Sequence, residues 1–348
     1  MRSPVAVGVA LALGAAVAFG AATPIIGALG RELGPFTVAA LLYAGAALVS
    51  ALTMPMLRRT GRALRRSDAV VIAGVAVLGG AVAPSLLAWG VKRTGGVTAS
   101  LALNFEAVFT LALGWLVFRE GAGRRVIAGA AAMLLGGVLL GVATLSQAGL
   151  DLLGLGAVVL ATVAWAGDNT VSRKLSEVDP SHVVLAKGLL GAALTAGLAA
   201  LLGEPLPRPL VAMGLLGCGA TGYGLSLRLY LLAQRRMGAG RTASVFAVAP
   251  FLGAVLAVAL GEQSGGAPVA VAAGLFALGV YLHVTERHAH PHVHPATAHE
   301  HAHRHDDEHH DHKHEPPVTG EHTHWHEHGA REHTHEHAPD LHHDHGHA

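Results

Sequence analysis

Ten apolar stretches of about twenty residues, set apart by short clusters of charge, glycine or proline, leave this chain few ways to fold. They run near 4–29, 35–57, 69–91, 97–118, 125–146, 152–173, 183–203, 209–233, 242–261 and 267–285. Helices apolar all round at this length present no face to water, and about 20 such residues cross a bilayer. The expected fold is therefore all-α, a polytopic membrane protein of ten transmembrane helices. Composition agrees, with 52% hydrophobic residues, 14% charged and a mean hydropathy of +0.47, where soluble domains carry about 25% charged residues. The N-terminus opens like a secretory leader, but its apolar run continues past Pro24 to Leu29 and is read as a span.

Charge divides the chain in two. Residues 1–287 hold 21 Lys+Arg against 11 Asp+Glu, whereas residues 288–348 hold 3 against 12. A cytosolic N-terminus places Arg2, Arg58, Arg59, Arg62, Arg65, Arg66, Arg119, Arg124, Arg125, Arg173, Lys174, Arg235, Arg236, Arg241 and Arg287 inside. Only Arg31, Lys92, Arg93 and Arg208 then lie outside. That bias predicts a multi-pass protein of the cell membrane with both termini cytoplasmic. The single cysteine, Cys218, excludes an intramolecular disulfide or a thiolate metal cluster within one chain. No G-x-x-x-x-G-K-[ST] run occurs, so direct ATP drive is not expected, and nothing points to an enzyme or to a nucleic-acid partner.

The sequence also repeats itself. TASLALNFEAVFTLALGWLVFREG from Thr98 aligns with TASVFAVAPFLGAVLAVALGEQ from Thr242, two gapped positions preceding Glu120 and Glu262. VAFGAATPIIGALGRELGP from Val17 matches VAWAGDNTVSRKLSEVDP from Val163 with one gap. Five helices separate the matching elements, so the halves insert in opposite orientations, as transporter halves do. The expected units are residues 1–147 and 148–287, each of five helices, and a tail over 288–348.

These motifs, the A-F/W-G start of each half, the T-A-S opening of the fourth and ninth helices and the closing Glu120 and Glu262, resemble the EamA-type members of the drug/metabolite transporter superfamily. The resemblance covers residues 5–286 and implies transport of amino acids, other metabolites or drugs, without naming the cargo. It also implies a proline midway along the fourth helix of each half. Pro250 keeps it; the aligned residue in the first half is Glu106, which leaves bending there open.

Charged side chains inside spans usually face a cavity or a partner. Four are expected there: Glu106, Asp168, Lys187 and Arg228. The last three fall in the cytosolic third of their helices, where snorkelling or an Asp168–Lys187 ion pair competes with a functional role. Glu106 lies near mid-helix, two residues after Asn104, where burial penalises a charge, and this makes it the candidate proton carrier. Asp168, Asn169, Thr170 and Ser172 form a polar run after Trp165 that suggests an aqueous vestibule. The substrate and proton pathway is thus expected along Glu106, Asn104, Asp168, Asn169, Lys187 and Arg228. His182 and His283 are read as surface or packing residues, and Trp89, Trp115 and Trp165 as interfacial or packing aromatics.

The tail holds 23 of the 25 histidines. Its metal-ligand candidates are His290, His292 and His294, then His299, His301, His303 and His305, then His309, His310, His312 and His314. His322, His324, His326 and His328 follow, with His333, His335 and His337 and finally His342, His343, His345 and His347. Low hydrophobicity and several prolines predict a disordered segment. Imidazoles interleaved with carboxylates suit zinc, nickel, cobalt or copper ions, while no cofactor is required elsewhere. A pH-sensing or merely solubilising tail stays open.

Three readings follow. The first is a membrane transporter, an exporter of a small organic metabolite working by alternating access, proton-coupled through Glu106. The second is a nickel, cobalt or zinc transporter whose tail gathers or buffers the ion, and the third a non-transporting, metal-sensing membrane protein. The implied partners are the lipid bilayer and a small-molecule or ion substrate, with a homodimer left open.

Overall fold

The computed structural model describes residues 4–56, 61–118, 123–145, 152–175, 177–237, 239–263, 266–285, 289–294, 297–303, 322–328 and 331–336. The helices are α1 (Pro4–Leu29), α2 (Pro35–Thr53), α3 (Ala69–Val75), α4 (Ala83–Ala102), α5 (Phe105–Phe118), α6 (Arg124–Leu145) and α7 (Leu152–Ser172). They continue with α8 (Pro180–Leu201), α9 (Pro209–Cys218), α10 (Ser226–Met237), α11 (Ala239–Phe246), α12 (Ala249–Ala259) and α13 (Gly266–Val284). Proline opens α2, α8 and α9, where its missing N–H costs nothing. Asp179 caps α8 by accepting from the Ser181 N–H at 2.8 Å.

Seven segments are long and apolar enough to cross a membrane: Ala6–Leu29, Pro35–Thr53, Arg66–Ala102, Arg124–Ala143, Leu152–Leu175, Pro180–Leu201 and Pro209–Gln234. Shorter apolar helices cover Phe105–Val117, Ala249–Ala259 and Gly266–Leu282. The difference from ten uninterrupted runs lies chiefly in the fourth and ninth. Each is broken: α4 gives way to α5 at Leu103-Asn104, and α11 to α12 at Ala247-Val248. The opening of the fourth run is instead continuous with the third, across a non-helical Gly95 at φ 76° and ψ 165°.

With Thr98 set against Thr242, the two breaks fall on aligned residues. Beyond each, the local bonding repeats: Ala107 N–H donates to Asn104 O at 3.2 Å and Phe251 N–H to Val248 O at 3.1 Å. A second matched irregularity is a π-helical turn, Ala76–Val82 between α3 and α4 and Gly219–Leu225 between α9 and α10. Neighbour relations match as well. Contacts of α4 with α7 are answered by α1 with α10, and α5 with α7 by α1 with α12, while α2 meets α8 and α6 meets α13 across the two halves. Such pairing is what a pseudo-two-fold relation between five-helix repeats produces.

Large apolar side chains crowd the outside of this bundle, among them Trp115 at 61% exposure, Val70 at 83% and Leu201 at 84%. A surface of that kind is matched by lipid rather than water. Inside, close packing centres on small residues and on Leu42, Leu87, Leu101, Met133, Leu140 and Phe276.

Beyond α13, four tail segments are strands: β1 (Ala289–His294), β2 (Thr297–His303), β3 (His322–His328) and β4 (Arg331–Glu336). β1 pairs antiparallel with β4, placing His290 opposite His335 and His292 opposite His333; β2 pairs with β3, placing His299 opposite His326 and His301 opposite His324. Their H-x-H alternation has the two-residue period of a strand. His305, His309, His310, His312, His314, His337, His342, His343, His345 and His347 lie outside the described residues.

Candidate functional site

The polar residues inside the bundle gather around the π-helical turn Ala76–Val82 and the break in the fourth run. A π turn widens a helix by one residue and leaves a carbonyl misaligned with its own ladder. Tyr43 of α2 answers this by donating its hydroxyl to the Gly79 carbonyl. Gly79 itself faces the neighbouring helices: a Cβ there would overlap Asp168 Oδ2 and come within 2.6 Å of Lys187 Nζ. Only glycine lets this ion pair approach the turn.

Asp168 on α7 and Lys187 on α8 form that pair, Nζ to Oδ2, with side-chain exposures of 5% and 7%. Ser172 Oγ donates to the other Asp168 oxygen at 3.4 Å. Two charges taken out of water are tolerable when they neutralise one another and find further hydrogen bonds. The anticipated Asp168–Lys187 pair is therefore present, buried rather than snorkelling.

Glu106 sits in the first turn of α5, and its Oε1 accepts from Asn169 Nδ2 at 2.7 Å. Asp168 and Asn169 thus serve two different neighbours from adjacent positions of α7. Glu106 is within Coulombic reach of both Asp168 and Lys187, but those two charges already cancel. Its direct partner is a neutral amide.

Asn104 is placed differently from the expected pathway. It is 4% exposed, and its Nδ2 donates to Leu101 O at 2.8 Å, a second bond to a carbonyl that also accepts from the Asn104 N–H at 3.2 Å across the break. Arg228 also lies apart: it donates to Ser181 Oγ at the start of α8, nearly two turns before Lys187. His182 has no hydrogen-bond partner at its buried Nδ1 among the described residues, and His283 contributes no described side chain. Trp89 carries Arg93 over its ring at 4.2 Å.

Two features were not anticipated. Trp165 belongs to an aromatic cluster spanning both halves: Phe19 lies 5.9 Å from Trp165, 5.9 Å from Tyr223 and 5.6 Å from Phe246, and Tyr43 lies 5.5 Å from Tyr223. The Tyr223 hydroxyl is buried with no partner among the described residues. Repeat alignment of Phe19 with Trp165 was the available signal. The second feature is a pair of carboxylates, Glu204 and Glu262, each bound to backbone N–H groups of the other half. Partners some 165 positions away leave no local trace.

Among the described residues, no three His, Cys, Asp or Glu side chains converge as a metal site. The arrangement between the halves offers instead a self-neutralised ion pair, one carboxyl without a cation of its own, and an aromatic wall. Of these groups the lone carboxyl is the one whose charge is not balanced by a direct partner among the described residues.

Comparison with known proteins agrees with this architecture. A relative from Methanothermobacter thermautotrophicus, described as an uncharacterized transporter, is 29% identical over 199 residues, covering 56% of this chain. The chain spans 58% of that relative's length. A solved crystal structure superposes with a TM-score of 0.59 at 22% identity, over 82% of this chain and 99% of that one, and so shares the fold. The EamA-like transporter family model matches residues 6–142 and again 152–285, so that this chain, all-helical through its apolar part and built of two repeats, belongs to the EamA-like transporter family.

Proposed function

We propose that this transporter exports a small organic metabolite in exchange for protons, by alternating access about the site between its repeats, with Glu106 as the proton carrier. One observation carries the reading: Asp168 and Lys187 neutralise each other, while Glu106 is bonded to the neutral Asn169 amide. Protonated, Glu106 leaves the cluster at net zero; ionised, at minus one. A carboxyl whose charge state sets the charge of a buried site is suited to coupling proton movement to substrate movement. The positive-inside bias supports cytosolic termini in the cell membrane, with Glu106 reached from alternate sides.

The histidine-rich tail supports a second reading, in which the cargo is a nickel, cobalt or zinc ion gathered by residues 288–348. In the first reading the tail is a metal-responsive accessory. One comparison separates them: accumulation of metabolites and of metals in cells with the gene deleted, restored, or restored without residues 288–348. The metabolite reading expects an organic solute to build up in the deletion and to fall with either restored form. Altered metal content with unchanged metabolites would favour the second.

A further inference from the structure

We infer that Glu262 is the latch that holds shut the face of the transporter remote from both termini, and that its release from Gly96 and Val97 opens that face. The inference rests on the transporter reading but not on any cargo. α12 ends in a Schellman motif: Gly261 adopts φ +94°, its N–H donates to Val258 O at 3.0 Å, and the Glu262 N–H donates to Ala257 O at 3.1 Å. This fixes where the Glu262 side chain departs. Its Oε2 accepts from the N–H groups of Gly96 at 2.6 Å and Val97 at 3.1 Å.

Those two N–H groups are free because Gly95, at φ +76°, interrupts the helix and starts a new turn. A carboxylate at such a start gains from both hydrogen bonds and from the local dipole. The junction is also tight. A Cβ on Gly96 would stand 3.0 Å from Glu262 Oε1, 3.2 Å from Ala257 and 3.2 Å from Pro24, so α1, α4 and α12 meet there. One side chain of the second repeat thus closes a seam of the first.

A comparable carboxylate, Glu204, has a different task. It follows Gly203 (φ +64°) at the end of α8 and accepts from Phe36 N–H at 3.3 Å, Thr37 N–H at 2.7 Å and the Thr37 hydroxyl at 2.8 Å. At their other ends α2 and α8 are tied again: Arg62 N–H donates to Glu177 O and Asp179 N–H to Arg62 O, each at 2.9 Å. A helix pair fastened at both faces can serve as the axis of a rigid-body rotation. The Glu262 contact lies off that axis, where rocking separates α12 from the Gly95 turn.

The test uses the full chain with Cys218 replaced by alanine and one reporter cysteine, labelled by a membrane-impermeant maleimide in intact cells and in inside-out vesicles. Ser100→Cys lies one turn below the latch, at a position 0% exposed whose hydroxyl has no partner among the described residues. Asn169→Cys reports the site beside Glu106. With Glu262→Ala, or with Glu262→Gln if the alanine variant does not reach the membrane, S100C labelling from one side should rise at least about tenfold, as loss of even one charge-assisted bond implies. N169C labelling from the face that carries the termini should not rise. Unchanged S100C labelling would overturn the latch, and so would a rise of N169C labelling from the face that carries the termini, which marks general loosening.

Discussion

Glu106 and Pro250 occupy the same position of two broken helices, each the second residue after the break, in α5 and α12. Both residue types suit that place. A helix start has N–H groups without partners, so proline loses nothing there, and a carboxylate is favoured by the dipole. Replacing proline by glutamate therefore keeps the break while adding an ionisable group beside the site. In the first repeat Asn104 supplies the extra bond, to Leu101 O at 2.8 Å.

That division of labour is testable. Asn104→Ala should remove the side-chain donor to the Leu101 carbonyl, which keeps the backbone N–H of residue 104 at 3.2 Å, and lower stability by about 0.5–1.5 kcal/mol, with Glu106 chemistry retained. Thermal unfolding of the detergent-solubilised protein measures the loss. An unchanged midpoint would remove Asn104 from the break.

The Asp168–Lys187 pair is buried on both sides, so breaking it should cost far more than losing a surface pair. Asp168→Asn or Lys187→Met alone strands a charge and should destabilise by about 3–5 kcal/mol. The double substitution Asp168→Asn with Lys187→Met should recover most of that stability, although not transport. If the double variant is no more stable than either single one, the two side chains do not act as a pair.

Gly79 leaves no room for a side chain beside the ion pair. Gly79→Ala forces a Cβ into Asp168 Oδ2 and against Lys187 Nζ and should cost about 2 kcal/mol or more, whereas Tyr43→Phe, which loses the bond to the Gly79 carbonyl, should cost about 1 kcal/mol. Equal effects of the two substitutions would contradict this ranking.

The tail should bind metal without being needed for the transport step. An isolated 288–348 peptide is expected to take up several zinc or nickel ions, releasing protons as it does so, and to lose them below about pH 5 as imidazoles protonate. Calorimetry at neutral pH that shows no heat of binding would remove the metal role.

How much of this could be read beforehand varies with the range of the interaction. The apolar runs were legible because a bilayer demands length and composition together, and Asp168 and Lys187 could be matched because both are expensive in lipid. The breaks were half visible. Pro250 marked one, but Glu106 and Asn104 in the aligned run read as pathway residues, and only the backbone shows Asn104 spent on a carbonyl. Glu262 was visible only as the residue closing the ninth run and Glu204 not at all, because Gly-Glu after an apolar run reads as a helix end, and the N–H groups they hold lie in the other repeat. The aromatic cluster of Phe19, Tyr43, Trp165, Tyr223 and Phe246 likewise depends on five separated segments meeting.

The central claim, that Glu106 couples protons to the cargo, is tested most directly by proton movement in proteoliposomes. The cargo is that identified by the accumulation experiment, and internal pH is followed by a trapped dye. Glutamine preserves the size of Glu106 and its bond with Asn169 Nδ2, which fixes the fold while removing the proton. Wild-type protein should shift internal pH when cargo is added; Glu106→Gln protein, equally stable, should not, although it can still exchange cargo across the membrane. A stable Glu106→Gln protein that moves protons with its cargo at the wild-type rate would contradict the account.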